Sequence, residues 1–261
     1  MTDTTELAKG YTFVSTTQYQ AGLHLLQKLA ITPTTRILDI GCGPGNLTSH
    51  IASLVGPKGN VIGIDPSKER IALALESFRH TTNLSFHEGI AEDLSRFENA
   101  SFDIVFMNST FHWVTDQAAA LTECFRVLKP GGKLGISGGS GDYIAIHEKI
   151  KAAVLSRDPY CKYPEENPPR FLKQGEIEVL LDNAGFSRRE IGVNRIVKEA
   201  RDAEGMMEWL DTSSSGKTYG GIPVGLRGAA KEEMMREWEK VSTEEGIRME
   251  MELLVTVAFK G

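Results

Sequence analysis

The chain of 261 residues contains only three cysteines, Cys42, Cys124 and Cys161, far apart and without C-x-x-C spacing. That excludes a disulfide framework and a cysteine-based zinc site, and no other metal-ligand spacing stands out. It points instead to a reducing, cytoplasmic home. No apolar run approaches the length needed to span a bilayer. The polar, acidic stretch from Met1 to Gly10 does not read as a secretory leader, so no membrane partner is expected. A basic stripe is also missing. The net charge is −6, and Arg188-Arg189 and Lys129/Lys133 are too sparse to track a phosphate backbone, which disfavours nucleic acid as a partner. There is no internal repeat, no G-x-x-x-x-G-K-[ST] phosphate loop and no G-x-G-x-x-G dinucleotide fingerprint.

What is present is concentrated in Ile37-Leu38-Asp39-Ile40-Gly41-Cys42-Gly43-Pro44-Gly45-Asn46. This reads as a buried strand entering a glycine-rich turn that opens a helix. Glycine permits positive φ and close approach of a ligand to the backbone, and the helix start offers unpaired N–H groups and a positive dipole end. Asp39 argues against a pyrophosphate at this turn, because nothing nearby would neutralise the pair, and it favours a ligand with a cationic group. About twenty residues on, Val61-Ile62-Gly63-Ile64 ends in Asp65. An acid at the carboxyl end of the second strand is the usual partner of ribose hydroxyls in such folds. A ribose, an adenine and positive charge together describe S-adenosylmethionine, with its ammonium and sulfonium centres.

At this point the chain resembles the class I S-adenosylmethionine-dependent methyltransferases. The resemblance rests on the Asp39 to Gly45 turn, on Gly63-Ile64-Asp65, and on Arg126-Val127-Leu128-Lys129-Pro130-Gly131-Gly132-Lys133-Leu134. These blocks span roughly residues 35 to 137. The expected fold is α/β: a Rossmann-like, seven-stranded, mostly parallel sheet with helices on both faces and an antiparallel last strand. The chain is expected to be one methyltransferase domain over 1–261. Residues 1–34 would form a lid helix and 35–137 the cofactor core, with sheet completion and substrate-covering insertions in 138–261.

Strand and helix signals alternate accordingly. A helix is expected over 16–30, strands at 36–40 and 61–65, and a helix over Ser67 to Arg79 with Pro66 at its first turn. Strands follow at Leu84–His87, Phe102–Met107 and Lys133–Ser137, the last after a helix over 116–127. Beyond a glycine link at 138–141, a helix at Gln174–Ala184 stops at Gly185. The final strand, Met249 to Phe259, alternates as an antiparallel strand would.

For the cofactor, Asp39 accepts the ammonium or orders the glycine turn through backbone N–H groups. Gly41 and Gly43 let the methionine part lie against backbone, Cys42 is a small filler beside it, and Asn46 and Leu47 open the helix. Asp65 accepts from both ribose hydroxyls, or caps the next helix, or does both; Ile64 and Pro66 flank the adenine. Related sequences often carry Gly-Asp-Ala after strand three, whereas this chain has Gly89-Ile90-Ala91-Glu92, so Ile90 and Ala91 are expected neighbours of adenine, with Glu92 as a substitute acid. The fourth strand runs into Asn108-Ser109-Thr110-Phe111-His112-Trp113. Asn108 and Ser109 are assigned to the cofactor. His112 and Trp113 are assigned to catalysis, against the plain alternatives of a satisfied histidine and a packed indole. This block resembles the trans-aconitate and juvenile-hormone-acid type of carboxyl methyltransferase. Tyr11, Gln18 and Gln20 fit that subfamily's N-terminal lid, with glutamine where arginine is common. Asn167-Pro168-Pro169 imitates the motif of amino methyltransferases, but it does not follow strand four.

The expected activity is methyl transfer to a small molecule, with S-adenosylhomocysteine as the other product and carboxylate O-methylation preferred. A carboxylate is already ionised and needs no base; a phenol or amine would use His112. The alternatives are C- or N-methylation of a small metabolite, and a binding or cyclase-like protein on the same fold. The oligomeric state is left open.

Overall fold

The computed structural model describes residues 16–165, 167–214 and 217–261. The chain begins with α1 (Thr16–Leu29), β1 (Arg36–Ile40), α2 (Asn46–Val55), β2 (Asn60–Asp65), α3 (Lys68–Ser77), β3 (Leu84–Glu88) and β4 (Phe102–Asn108). It continues through a 3-10 turn (Phe111–Trp113), α4 (Gln117–Val127), β5 (Leu128–Gly139), α5 (Ile146–Leu155) and α6 (Gln174–Ala184). It then passes through β6 (Arg188–Ala200), α7 (Ala203–Ser213), α8 (Val224–Glu239) and β7 (Ile247–Phe259). The strands form one sheet in the order β3-β2-β1-β4-β5-β7-β6. β1 to β5 pair in parallel and β7 runs antiparallel to β5, as the sequence predicts. The order reverses between β1 and β4, and the crevice outside the carboxyl ends of strands at such a switch is where ligands bind.

The described residues gather into two compact units. One comprises Gln18–Asp142, Pro169–Asn194 and Leu253–Gly261. The other comprises Tyr143–Pro168 and Arg195–Glu252, with the described residues up to Thr17. The second has its own core, in which Trp209 and Trp238 pack among Met206, Met207, Met234 and Met249.

In the first unit, side-chain alternation along β1 divides the two faces of the sheet. Leu38 and Ile40 join Leu121, Cys124, Ile177 and Leu181 of α4 and α6 in the main core. Each such buried aliphatic stabilises the fold by about 1.5–3 kcal/mol. Asp39 therefore points to the opposite face, where α2 lies. The loop between β3 and β4 is tied to α4 by Arg126, whose guanidinium bonds Glu123, the carbonyls of Leu94 and Phe97, and Asn99 Oδ1.

Three local expectations change. Pro66 is not inside α3: Ser67 is the N-cap, its hydroxyl accepting the Arg70 N–H at 3.2 Å. β5 begins at Leu128, so the expected Pro130-Gly131-Gly132 turn is an irregularity within the strand, where pairing with β4 jumps from Phe102↔Leu128 to Ile104↔Lys133. Lys260 fixes it: its carbonyl accepts the Gly131 N–H and its own N–H donates to the Gly132 carbonyl, while Nζ reaches the Phe125 and Leu128 carbonyls. β7 alternates only as far as Glu250, then is buried on both faces from Leu253 to Ala258, because it lies inside the sheet between β5 and β6. α6 stops at Gly185 with φ 100°, as expected.

Candidate active site

The glycine turn leaves β1 beside the end of β2. The N–H groups of Gly41 and Cys42 both donate to the Ile64 carbonyl, at 2.7 and 3.0 Å. Gly41, Gly43 and Gly45 all have positive φ, which any side chain would strain. Two of them also have neighbours that leave no room for a Cβ. At Gly41 it would run into the Thr110 side chain, and at Gly45 it would stand 2.6 Å from the Phe86 ring.

Asp65 fastens this turn. Its Oδ2 accepts the Gly43 N–H and its Oδ1 the Ser67 N–H, each at 2.9 Å. One carboxylate thus ties the glycine turn to the start of α3. Ordering the turn by backbone N–H groups was one expectation for Asp39, but Asp65 does it. Asp39 is 3% exposed and accepts the Thr48 hydroxyl at 2.7 Å. Burial pushes its carboxyl up to about 7; the Thr48 hydrogen bond opposes the rise and the neighbouring Asp65 charge adds to it. A cationic ligand group would favour its ionised form. Cys42 packs with Ile71, Ala74 and Phe86. Burial holds its thiol well above the usual range, and the Asp39 and Asp65 charges push the same way, consistent with a filler.

The facing rim is the end of β4. Asn108 Nδ2 donates to the Gln18 carbonyl at 2.8 Å, which fixes Oδ1 as the other end of the amide. Asn108 Oδ1, Gln18 Oε1 and Ser137 Oγ are buried and lack hydrogen-bond partners among the described residues. Ser137 pairs with Asn108 in the sheet register. Buried polar atoms without partners are costly, and an ammonium has three donors to offer such acceptors. The residues therefore fit the methionine end of S-adenosylmethionine. Ser109 follows with φ 54°, its N–H held by the Ser137 carbonyl at 2.7 Å. Asn46 and Leu47 open α2, and Leu47 lies where a Cβ on Gly22 would go. Tyr11 lies outside the described residues.

Of the residues expected near adenine, Ile90 is 46% exposed, Ala91 is buried and Pro66 is exposed. Ile64 lies in the main core. Glu92 Oε1 accepts the N–H groups of Thr115 and Asp116 at 2.9 and 3.2 Å, so it braces the approach to α4.

The turn after β4 places Phe111 in the core and leaves His112 and Trp113 half-buried, their ring centroids 5.1 Å apart. Phe171 stacks on His112 at 4.8 Å. Sequence reasoning missed Phe171 and Gln117, because no local pattern marks them. Thr48 was detectable as a hydroxyl on the buried stripe of α2.

Comparison with known proteins bears on family and fold. The methyltransferase-domain family matches residues 38–136. An uncharacterized methyltransferase of Schizosaccharomyces pombe, C1B3.06c, is 36% identical over 156 residues, 57% of this chain and 50% of that protein. The chain thus spans half the length of that relative. The demethylmenaquinone methyltransferase of Lactobacillus johnsonii is 38% identical over 174 residues, 61% of this chain and 71% of that enzyme. The YcgJ protein of Bacillus subtilis has the same fold, with TM-score 0.67, 17% identity and coverage of 93% of this chain and 98% of that one. The 38% identity to a methyltransferase of which the chain covers 71%, together with the family match over residues 38–136, places the chain in the class I S-adenosylmethionine-dependent methyltransferase family.

Proposed function

We propose that the protein transfers a methyl group from S-adenosylmethionine to a small molecule in the cytoplasm, with O-methylation of a carboxylate as the preferred reaction. One observation carries the reading. Thr110 lies against Gly41, so the turn bearing His112 and Trp113 stands directly beside the glycine turn. Bound S-adenosylmethionine supplies an electrophilic methyl carbon on its sulfonium. Asp39 and the amide oxygens of Asn108 and Gln18 hold the ammonium, Asp65 holds the ribose hydroxyls, and Ile90 offers an apolar surface to adenine. Trp113 donates its indole N–H to the acceptor carboxylate, and His112 lines the same pocket without removing a proton. Positioning supplies much of the rate. The absence of C-x-x-C pairs suits the proposed compartment.

A second reading is C-methylation of an aromatic ring. The three neighbouring rings of His112, Trp113 and Phe171 favour it, as does the demethylmenaquinone methyltransferase among the relatives. The deciding experiment incubates the protein with S-adenosylmethionine and sets of carboxylic acids, phenols, amines and quinols. Mass spectrometry follows methyl gain and S-adenosylhomocysteine release. Turnover of an acid supports the first reading, and turnover of a quinol at carbon supports the second. Release with no acceptor in any set would sink both.

A further inference from the structure

The Phe111–Trp113 turn is held from outside its own segment. A three-residue 3-10 turn has poor internal geometry, and outside groups take up its carbonyls. Gln117, 3% exposed in the first turn of α4, donates from Nε2 to the Phe111 carbonyl at 3.0 Å and to the Arg170 carbonyl at 3.1 Å. The Arg170 N–H donates to the His112 carbonyl at 2.8 Å. Next along the chain, Phe171 lies on the His112 ring, with centroids 4.8 Å apart and planes 29° from parallel. Its ring also rests on β5, where a Cβ at Gly139 would stand 2.7 Å away.

This strap is itself anchored. Leu172 is buried and its carbonyl accepts the Gly141 N–H at 2.9 Å. The Gln174 N–H reaches Asp142 Oδ2 at the same distance. The backbone position of the turn and the plane of the His112 ring are therefore set by two residues that need never touch a substrate.

We propose that Gln117 and Phe171 are positioning residues for methyl transfer: Gln117 fixes the turn, and Phe171 fixes the plane of the His112 ring. The inference rests on the reading that His112 and Trp113 face the acceptor. Small displacements at a reacting centre cost rate steeply, so the clamp acts on turnover and leaves cofactor affinity alone.

The test uses isosteric pairs in the full chain. Phe171→Tyr keeps the ring, and Phe171→Leu keeps bulk without it. Gln117→Glu keeps the shape but loses the two N–H donors. In protein with labelled histidines, Phe171→Leu should remove the ring-current shift of the His112 ring protons, and Gln117→Glu should move or broaden the same signals. Phe171→Tyr should preserve them. On the acceptor identified by the screen above, kcat should fall about tenfold to a hundredfold for Phe171→Leu and Gln117→Glu, with S-adenosylmethionine affinity held within about twofold. A purely structural role would not separate tyrosine from leucine in this way. Unchanged His112 signals in both Phe171→Leu and Gln117→Glu would overturn the inference with no acceptor needed. If His112→Ala lowers turnover while Phe171→Leu does not, the clamp alone fails. If His112→Ala has no effect, the placement of the acceptor fails, whatever the spectra show.

Discussion

Cofactor binding should depend on pH through Asp39. In the ligand-free protein its carboxyl is pushed up to about 7 from an ordinary 3.8, chiefly by burial. A cationic ligand favours the carboxylate, so binding below pH 7 must expel a proton. If the complex is ionised throughout, affinity should be about fivefold weaker at pH 6 than at pH 7, and about fiftyfold weaker at pH 5. Near and above pH 8 the ligand's own α-amino group begins to lose its proton, and the gain stops. Calorimetry in buffers of different ionisation enthalpy counts the proton directly: about half a proton released at pH 7 and nearly one at pH 6. Asp39→Asn keeps an acceptor for Thr48 but cannot titrate, so the slope and the proton release should vanish. Stability moves the opposite way. Below pH 3.8 both folded and unfolded chains hold the proton. Between 3.8 and 7 only the folded chain does, so its stability falls with rising pH and levels off above 7. The full penalty spans about three pH units, or about 4 kcal/mol, and Asp39→Asn should recover much of it at pH 8 and little near pH 4. Affinity that stays flat from pH 5 to 7.5, or a slope that survives in Asp39→Asn, would refute the reasoning.

Three other outcomes are expected. Asp65→Ala should weaken S-adenosylmethionine by about 1–3 kcal/mol in calorimetry, and because two backbone N–H groups lose their acceptor it should also lower the melting temperature; unchanged affinity would remove Asp65 from the site. Glu92→Ala should loosen the approach to α4 and reduce turnover while leaving cofactor affinity near wild type; a large affinity loss would instead make Glu92 the adenine acid. Arg126→Lys cannot reproduce the forked contacts to Glu123, Leu94, Phe97 and Asn99, so urea denaturation should show a loss of about 1–3 kcal/mol, and an unchanged midpoint would mean the loop is held by other means.

The glycine turn and the strands that carry it were legible because their pattern is local. Ile37 to Ile40 alternate across a strand, the glycines follow at once, and Asp65 closes the next strand in register with Glu88 of β3. Division of labour between the two acids was not legible, since it depends on which face of the sheet each carboxylate leaves. Asp39 meets a helix, whereas Asp65 meets the turn. The start of α3 was misjudged because Pro66 suits a first helical turn, yet the Asp65 carboxylate holds the Ser67 N–H and leaves Ser67 to cap. Glu92 looked free for adenine because its partners, Thr115 and Asp116, lie on the far side of β4 in sequence. Phe171 reaches His112 across an intervening strand and two helices, and the glycine that admits its ring, Gly139, reads as part of a flexible link.

The strand order also fixes a sequence of events during synthesis. β6 is complete at Ala200, but its neighbour in the sheet is β7, which begins at Ile247. Until β7 is made, β5 carries an open parallel edge and β6 has no ladder to join. Such edges are templates for unwanted pairing, and contacts this distant along the chain form slowly. β7 must then enter between two waiting strands. Lys260 follows it immediately, sealing the irregular stretch of β5 with its backbone while its ammonium takes the carbonyls of Phe125 in α4 and Leu128 at the start of β5. A nascent chain stopped before Ile247 would hold every residue proposed above for the cofactor on a sheet that still lacks β7.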